Sequence, residues 1–217
     1  MNIKTVINKI FDYLFPGKCA CCGGICGEAV CPACEKELLA EEKGADIGIK
    51  RKTGADAAVS AYRYGNKKLT KAIFALKKKN SRALAGYFAA KLYAAVKRAG
   101  LRFDMITNAP RSGENTTLYG YDHVELVSKK LAALTNVKYM KCLAKKKGSA
   151  EQKTLDFEGR RKNSEGKYKV TVKGIPRAIL IVDDVCTSGE TLKECITMLR
   201  RSGAETVFAV VIANRAE

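Results

Sequence analysis

Two stretches of this chain have residue types and spacing that could do chemistry. The first holds six of the nine cysteines, between positions 19 and 34. Within it, Cys19-Ala-Cys21-Cys22 and Cys31-Pro-Ala-Cys34 form two C-x-x-C pairs separated by eight residues. Each pair can wrap a tight knuckle that turns both thiolates toward one ion, and four thiolates are what a tetrahedral structural Zn²⁺ takes. Gly23, Gly24 and Gly27 supply the backbone freedom such knuckles use, and the segment is too short to hold itself together by apolar burial. A redox C-x-x-C of thioredoxin type would instead be a single pair opening a helix within a βαβ unit. The expectation is therefore Zn²⁺ on Cys19, Cys22, Cys31 and Cys34. Cys21 and Cys26 are spare thiols, and Cys26 could displace Cys22. Cys142 and Cys195 lie in apolar surroundings and read as core residues.

The second stretch is Ala178-Ile-Leu-Ile-Val-Asp183-Asp184-Val-Cys-Thr187-Ser188-Gly189-Glu190-Thr191-Leu192. An apolar strand runs into two carboxylates, then a loop of small hydroxyl residues around a glycine, then a helix start. Free N–H groups and hydroxyls at a helix N-terminus cradle a phosphate. Gly189 would let the backbone approach it closely, and adjacent carboxylates accept from sugar hydroxyls or hold a divalent cation. The pattern predicts a sugar 5-phosphate site, with Asp183 and Asp184 on the ribose diol and Thr187, Ser188, Gly189, Glu190 and Thr191 around the phosphate. The plain alternative is an ordinary α/β turn with two capping acids.

Elements must position these residues. Ile3, Val6, Ile7, Ile10, Tyr13 and Leu14 recur at helical spacing until Pro16, and a second helix is expected over Glu35–Lys43. The polar run Gly44–Gly54 reads as a linker, so the expected division is a helix and zinc-binding module over 1–50 and an α/β domain over 51–217. In the latter, strands are expected at Ala57–Tyr64, Phe103–Thr107, Val137–Leu143, Arg177–Val182 and Thr206–Ala213. Helices are expected at Lys67–Lys78, Ser81–Arg98, Asp122–Leu134 and Thr191–Ser202. Alternating strands and helices with continuous apolar strands mean a parallel sheet covered on both faces. In such a sheet ligands sit at the carboxyl ends of the strands.

Composition narrows the function. With 217 residues, 47% hydrophobic and 29% charged, the chain can bury a core. It has no run of 18 apolar residues and no continuous apolar signal core at its start, so a cytoplasmic protein without membrane insertion is expected. Its single histidine, His123, excludes multi-histidine metal sites and reads as a cap or hydrogen-bonding residue at a helix start. The formal charge is +18; residues 1–50 carry 6 basic against 7 acidic groups, whereas residues 51–217 carry 34 against 15. The larger part must meet anions, whether phosphorylated small molecules or nucleic acid.

The segment around Asp183 resembles the phosphoribosyl-pyrophosphate motif of type I phosphoribosyltransferases: four apolar residues, two acids, and a Thr-Gly-x-Thr loop into which Ser188 is inserted. With cysteine knuckles ahead of such a domain, residues 15–214 resemble the ComF family, competence protein F and its relatives. Gln152, Leu155, Arg160, Asn163 and Gly166 fall at the spacing of that family's mobile loop. After Pro110 the family carries Arg-x-Arg-Gly-Phe-Asn-Gln. Here Gly120 and Tyr121 match the glycine and aromatic, Asp122-His123 replace Asn-Gln, and both arginines are absent, which leaves turnover open.

The resemblance implies an α/β phosphoribosyltransferase-like fold and a ligand, phosphoribosyl pyrophosphate with Mg²⁺. Asp183 and Asp184 would hold the ribose, Thr187–Thr191 the 5-phosphate, and Pro110 and Arg111 would lie near the pyrophosphate. Gln152 and Arg160 would belong to a closing lid. It equally implies a role in natural transformation, where the chain would be a non-catalytic accessory handling single-stranded DNA beside a helicase partner. Lys77, Lys78, Lys79 and Arg82, placed on helices away from the strand end, would form its basic face. Tyr62, Tyr64, Tyr87 and Tyr93 are the aromatics on which bases could stack, although helix periodicity reads Tyr87 and Tyr93 at least as well as packing residues.

Overall fold

The computed structural model describes residues 17–78, 81–111, 121–146 and 166–215. Chain order is α1 (Pro32–Leu39), α2 (Ile47–Thr53), β1 (Ala58–Arg63), α3 (Lys67–Lys78), α4 (Arg82–Arg98), β2 (Met105–Asn108), α5 (His123–Thr135), β3 (Lys138–Tyr139), β4 (Leu143–Lys145), β5 (Tyr168–Val170), β6 (Ala178–Cys186), α6 (Glu190–Arg201) and β7 (Thr206–Asn214). Five strands form one sheet in the order β1-β7-β6-β2-β3, every pair parallel. The α/β architecture expected from the continuous apolar strands is the one that forms.

Alternation along β6 divides the core. Leu180 and Val182 face α3, α4 and α5, in one cluster with Leu76, Phe88, Leu92 and Leu131. Ile179 and Ile181 face α2 and α6, in a second cluster with Ile49, Leu192, Cys195 and Ile196. The caps are local and cheap in sequence: Ser81 Oγ accepts from the Leu84 N–H at 3.1 Å, and Asp122 Oδ1 accepts from those of Val124 and Glu125 at 3.0 and 3.1 Å.

Four expected elements differ. The strand Val137–Leu143 is divided: Lys138–Tyr139 joins the main sheet beside β2, and Leu143–Lys145 leaves it to pair antiparallel with β5. The strand expected to stop at Val182 continues to Cys186, because β7 keeps offering partners as far as the pair Cys186–Asn214. The run Gly44–Gly54 is no linker. Ala45 bridges to Val59, Asp46 caps α2 through the Ile49 N–H at 3.1 Å, and Ile49 is fully buried. A short polar segment conceals this because one buried apolar residue anchors it. The expected helix over Glu35–Lys43 starts earlier, at Pro32, and stops at Leu39. The helix expected over residues 3–14 lies outside the described residues.

The cysteine-rich segment does not stand apart. Cys19, Cys21, Val30, Cys34 and Leu38 share the cluster of Tyr62, Leu69 and Leu84. Lys91 on α4 pairs with Glu35 and, at 3.3 Å, with Glu42, and Tyr62 and Tyr87 hydroxyls meet at 2.9 Å.

Candidate functional site

In the cysteine segment the sulfurs of Cys19, Cys22, Cys31 and Cys34 all lie within 4.8 Å of one another. Four thiolates around Zn²⁺ at the usual bond length stand about 3.8 Å apart. Cys22 and Cys31 already have their sulfurs at 3.9 Å. Backbone N–H groups point at the sulfurs, Cys31 N–H at Cys19 Sγ (3.3 Å) and Gly24 N–H at Cys22 Sγ (3.4 Å). Burial raises the Cys19 thiol, but the N–H donors led by Cys31 outweigh it and bring it down to about 6. This donor set can bind a metal such as zinc, with no position open to a substrate. Cys26 is turned away, its thiol donating to the Glu28 carbonyl at 3.0 Å, while burial pushes the Cys21 thiol up to about 12. Cys142 and Cys195 are fully buried core residues.

At the strand end, the extension of β6 changes what the two acids do. Asp183 and Asp184 lie within the strand rather than beyond it, so their side chains leave on opposite faces. Asp184, 9% exposed, turns toward α3 and α5. Its Oδ2 accepts from His123 Nε2 at 2.7 Å and from the Lys77 ammonium at 2.9 Å, and its Oδ1 from the Val185 N–H at 2.6 Å. Burial alone would raise this carboxyl, but His123 and Lys77 hold it well below the usual carboxylate range. Asp183 has one oxygen accepting from the Asp184 N–H at 2.8 Å. Burial and then the charge of Asp184 push it up to about 8.

His123 is not the cap of its helix; Asp122 is. It is completely buried and bonded at both ring nitrogens, since Arg111 Nη1 lies 2.5 Å from Nδ1. A guanidinium only donates, so Nδ1 accepts and the ring proton sits on Nε2, facing Asp184. The result is a continuous line Arg111–His123–Asp184–Lys77. Lys77 therefore does not belong to a basic face remote from the strand end; the last turn of α3 brings it onto Asp184. Nothing in the sequence marks Lys77 among its lysine neighbours. The one signal for His123 was a lone polar ring one residue after a capping acid, and that position is decided by how α5 packs on β2.

The loop after β6 is held from above by α2. Lys52 Nζ donates to the carbonyls of Thr187 (3.2 Å) and Arg215 (3.3 Å). Gly189 has φ +77°, and a Cβ there would lie 2.9 Å from Lys52 Cβ and 3.2 Å from Thr53 Cγ2. The close approach that Gly189 permits is thus to α2, where a phosphate had been expected. Thr187, Ser188 and Glu190 are exposed, Thr191 is partly so, and α6 begins without a side-chain cap, so its first N–H groups stand beside two hydroxyls. A groove of about 370 Å³ runs from Thr187 and Asp184 past Lys77 and Thr70 to Tyr64 and the exposed Phe74. Pro110 and Arg111 lie at the neighbouring end of β2, both partly buried. Gln152 and Arg160, with Leu155 and Asn163, lie outside the described residues, as does Lys79.

Residues 146–217 match the phosphoribosyl transferase domain. A stretch of 92 residues is 30% identical to Competence protein F of Haemophilus influenzae, covering 41% of this chain and 40% of that protein. The chain thus spans well under half the length of that relative. Among solved structures, the glutamine phosphoribosylpyrophosphate amidotransferase of B. subtilis superposes with a TM-score of 0.45 at 18% identity, over 64% of this chain and 30% of that one. The adenine phosphoribosyltransferase of Thermoanaerobacter pseudethanolicus gives 0.38 at 16% identity, over 62% and 82%. No helix among the described residues is long and apolar enough to cross a membrane.

Proposed function

We propose that this chain, whose C-terminal third matches a phosphoribosyl transferase domain, binds phosphoribosyl pyrophosphate at the carboxyl end of its sheet and serves DNA uptake in the cytoplasm. The observation that carries the reading is one strand end, β6, that delivers a carboxylate, a hydroxyl loop and an uncapped helix N-terminus to the same place within the matched residues. Asp183 would accept from the ribose hydroxyls; its second oxygen takes no hydrogen bond from the described residues. Thr187, Ser188 and the first N–H groups of α6 would hold the 5-phosphate. Arg111 and Lys77 would face the pyrophosphate, and Gln152 and Arg160 would close over it. Mg²⁺ bound with the ligand would neutralise charge on a leaving pyrophosphate. In a transfer at ribose C1 the residues mostly orient the ligand and screen developing charge, with no proton to donate. Zn²⁺ on the four cysteines would be structural, and a division near residue 50 would be one of roles alone, since it falls within α2 (Ile47–Thr53).

A second reading, a non-catalytic handler of single-stranded DNA beside a helicase, is favoured by one observation. Lys67, Lys71, Phe74 and Lys78 are all exposed along one face of α3, and the Lys78 ammonium lies 4.4 Å from the centre of the Phe74 ring. An exposed aromatic among lysines is what stacks bases and tracks a backbone. The deciding experiment titrates phosphoribosyl pyrophosphate with Mg²⁺, and single-stranded DNA at matched salt. We expect sugar-phosphate binding that survives neutralisation of Lys67, Lys71 and Lys78. DNA binding, if α3 is its groove, should lose about 2 units of log–log salt slope in that variant, at about 0.7 per phosphate contact. Wild-type protein that binds DNA but no phosphoribosyl pyrophosphate would overturn the first reading in favour of the second.

A further inference from the structure

Both nitrogens of the only histidine in the chain are spent inside the protein, which raises the question of what it holds. Asp184 is spent as well: one oxygen is bonded to His123 and Lys77, the other to the Val185 N–H. It has little acceptor capacity left for a ligand. Its effect is to tie two cations into one chain of contacts, Lys77 directly from α3 and Arg111 through the imidazole from the end of β2. Arg111 is only partly buried, and one bond to His123 fixes the plane of a group that carries five N–H donors in a rigid fork. An oriented guanidinium and an ammonium linked through one carboxylate suit a group with several anionic oxygens better than a single sugar hydroxyl.

We propose that His123 is a positioning residue: it fixes Arg111 so that Arg111 and Lys77 together receive the diphosphate end of a phosphoribosyl ligand, with Asp184 as their internal counter-ion and Asp183 left to the ribose. This rests on the sugar-phosphate reading of the β6 end. It divides two neighbouring acids into one that meets ligand and one that organises charge.

The test uses the full chain and two probes, inorganic pyrophosphate and ribose 5-phosphate, titrated separately by calorimetry. In His123→Leu, which fills the space but bonds neither partner, pyrophosphate affinity should fall roughly tenfold or more, while ribose 5-phosphate changes less than about twofold. His123→Gln offers a carbonyl oxygen to Arg111 and an N–H to Asp184, and should restore most of the pyrophosphate affinity. A merely structural histidine would weaken both ligands alike, or neither, and would make Gln no better than Leu; any of these overturns the proposal. If the Leu variant does not fold, Arg111→Gln should reproduce the selective loss, and an unchanged pyrophosphate affinity there overturns it too. Wild-type protein that binds neither probe would instead overturn the sugar-phosphate reading itself.

Discussion

Adjacent acids on a strand cannot share a face, and this makes Asp183 and Asp184 unequal despite identical chemistry. Replacing each singly by Asn should separate them. Asp183→Asn keeps an oxygen for the Asp184 N–H and should abolish ribose 5-phosphate binding with the fold intact. Asp184→Asn removes the counter-charge of Lys77 and weakens the His123 bond, and should cost about 1–3 kcal/mol of stability. The pH dependence follows with a definite sign. The Asp183 carboxyl is raised in the folded protein, to about 8, so its contribution to stability is present below the unfolded value near 4 and is lost as the pH rises toward 8. Urea unfolding at pH 5 and pH 8.5 should show ligand-free wild type losing stability relative to Asp183→Asn across that interval. Parallel curves for the two proteins would mean that Asp183 ionises normally.

Between elements, the contact of α2 with the loop after β6 sets the geometry of the candidate phosphate site. Asp46 organises it, accepting from Ile49 N–H, from Ser60 Oγ at 2.9 Å and from Asn214 Nδ2 at 2.9 and 3.0 Å, so that α2, β1 and β7 are tied at one buried carboxylate. From there Lys52 reaches over to the Thr187 carbonyl. Gly189→Val would put a β-branched residue at φ +77° and drive its Cβ into Lys52. We expect a loss of about 2–4 kcal/mol from backbone strain and overpacking together, seen as a lower Tm, along with weakened sugar-phosphate binding. A variant that loses binding with an unchanged Tm would show that the glycine makes room for phosphate alone.

Across the whole molecule, the four-cysteine cluster and the sheet share one hydrophobic core, so the cluster should not melt alone. Cys34 is 2% exposed and packs in the same cluster as Leu38 and Leu69. Zinc bound only by the folded state adds to its stability by mass action. Purified protein should contain about one zinc per chain. Cys34→Ser, or a chelator, should lower the melting of the α/β domain as well, followed by far-UV circular dichroism. The absence of zinc from protein made with zinc supplied, with all four thiols reactive, would refute the metal assignment. An unchanged sheet transition in Cys34→Ser would show the two parts to be energetically separate.

Much of this molecule was legible in its sequence wherever the determining interaction is local. The parallel sheet follows from apolar runs such as Ala178–Val182, the helix starts from Ser81 and Asp122, and the gathering of four thiols from the paired C-x-x-C spacing, because each depends on neighbours a few residues away. The order of residues at the β6 end also announced a strand, acids, a hydroxyl loop and a helix. What the sequence could not show is which distant groups meet there. Lys77 and His123 reach Asp184 across separations of 107 and 61 residues, and Lys52 reaches Thr187 across 135. Such pairings leave no periodicity in the chain; they exist only once α3, α5 and α2 have been packed by burial onto the two faces of the sheet. The same holds for the length of β6, which continues through both acids because β7, folded beside it, supplies hydrogen bonds that no local pattern foretells.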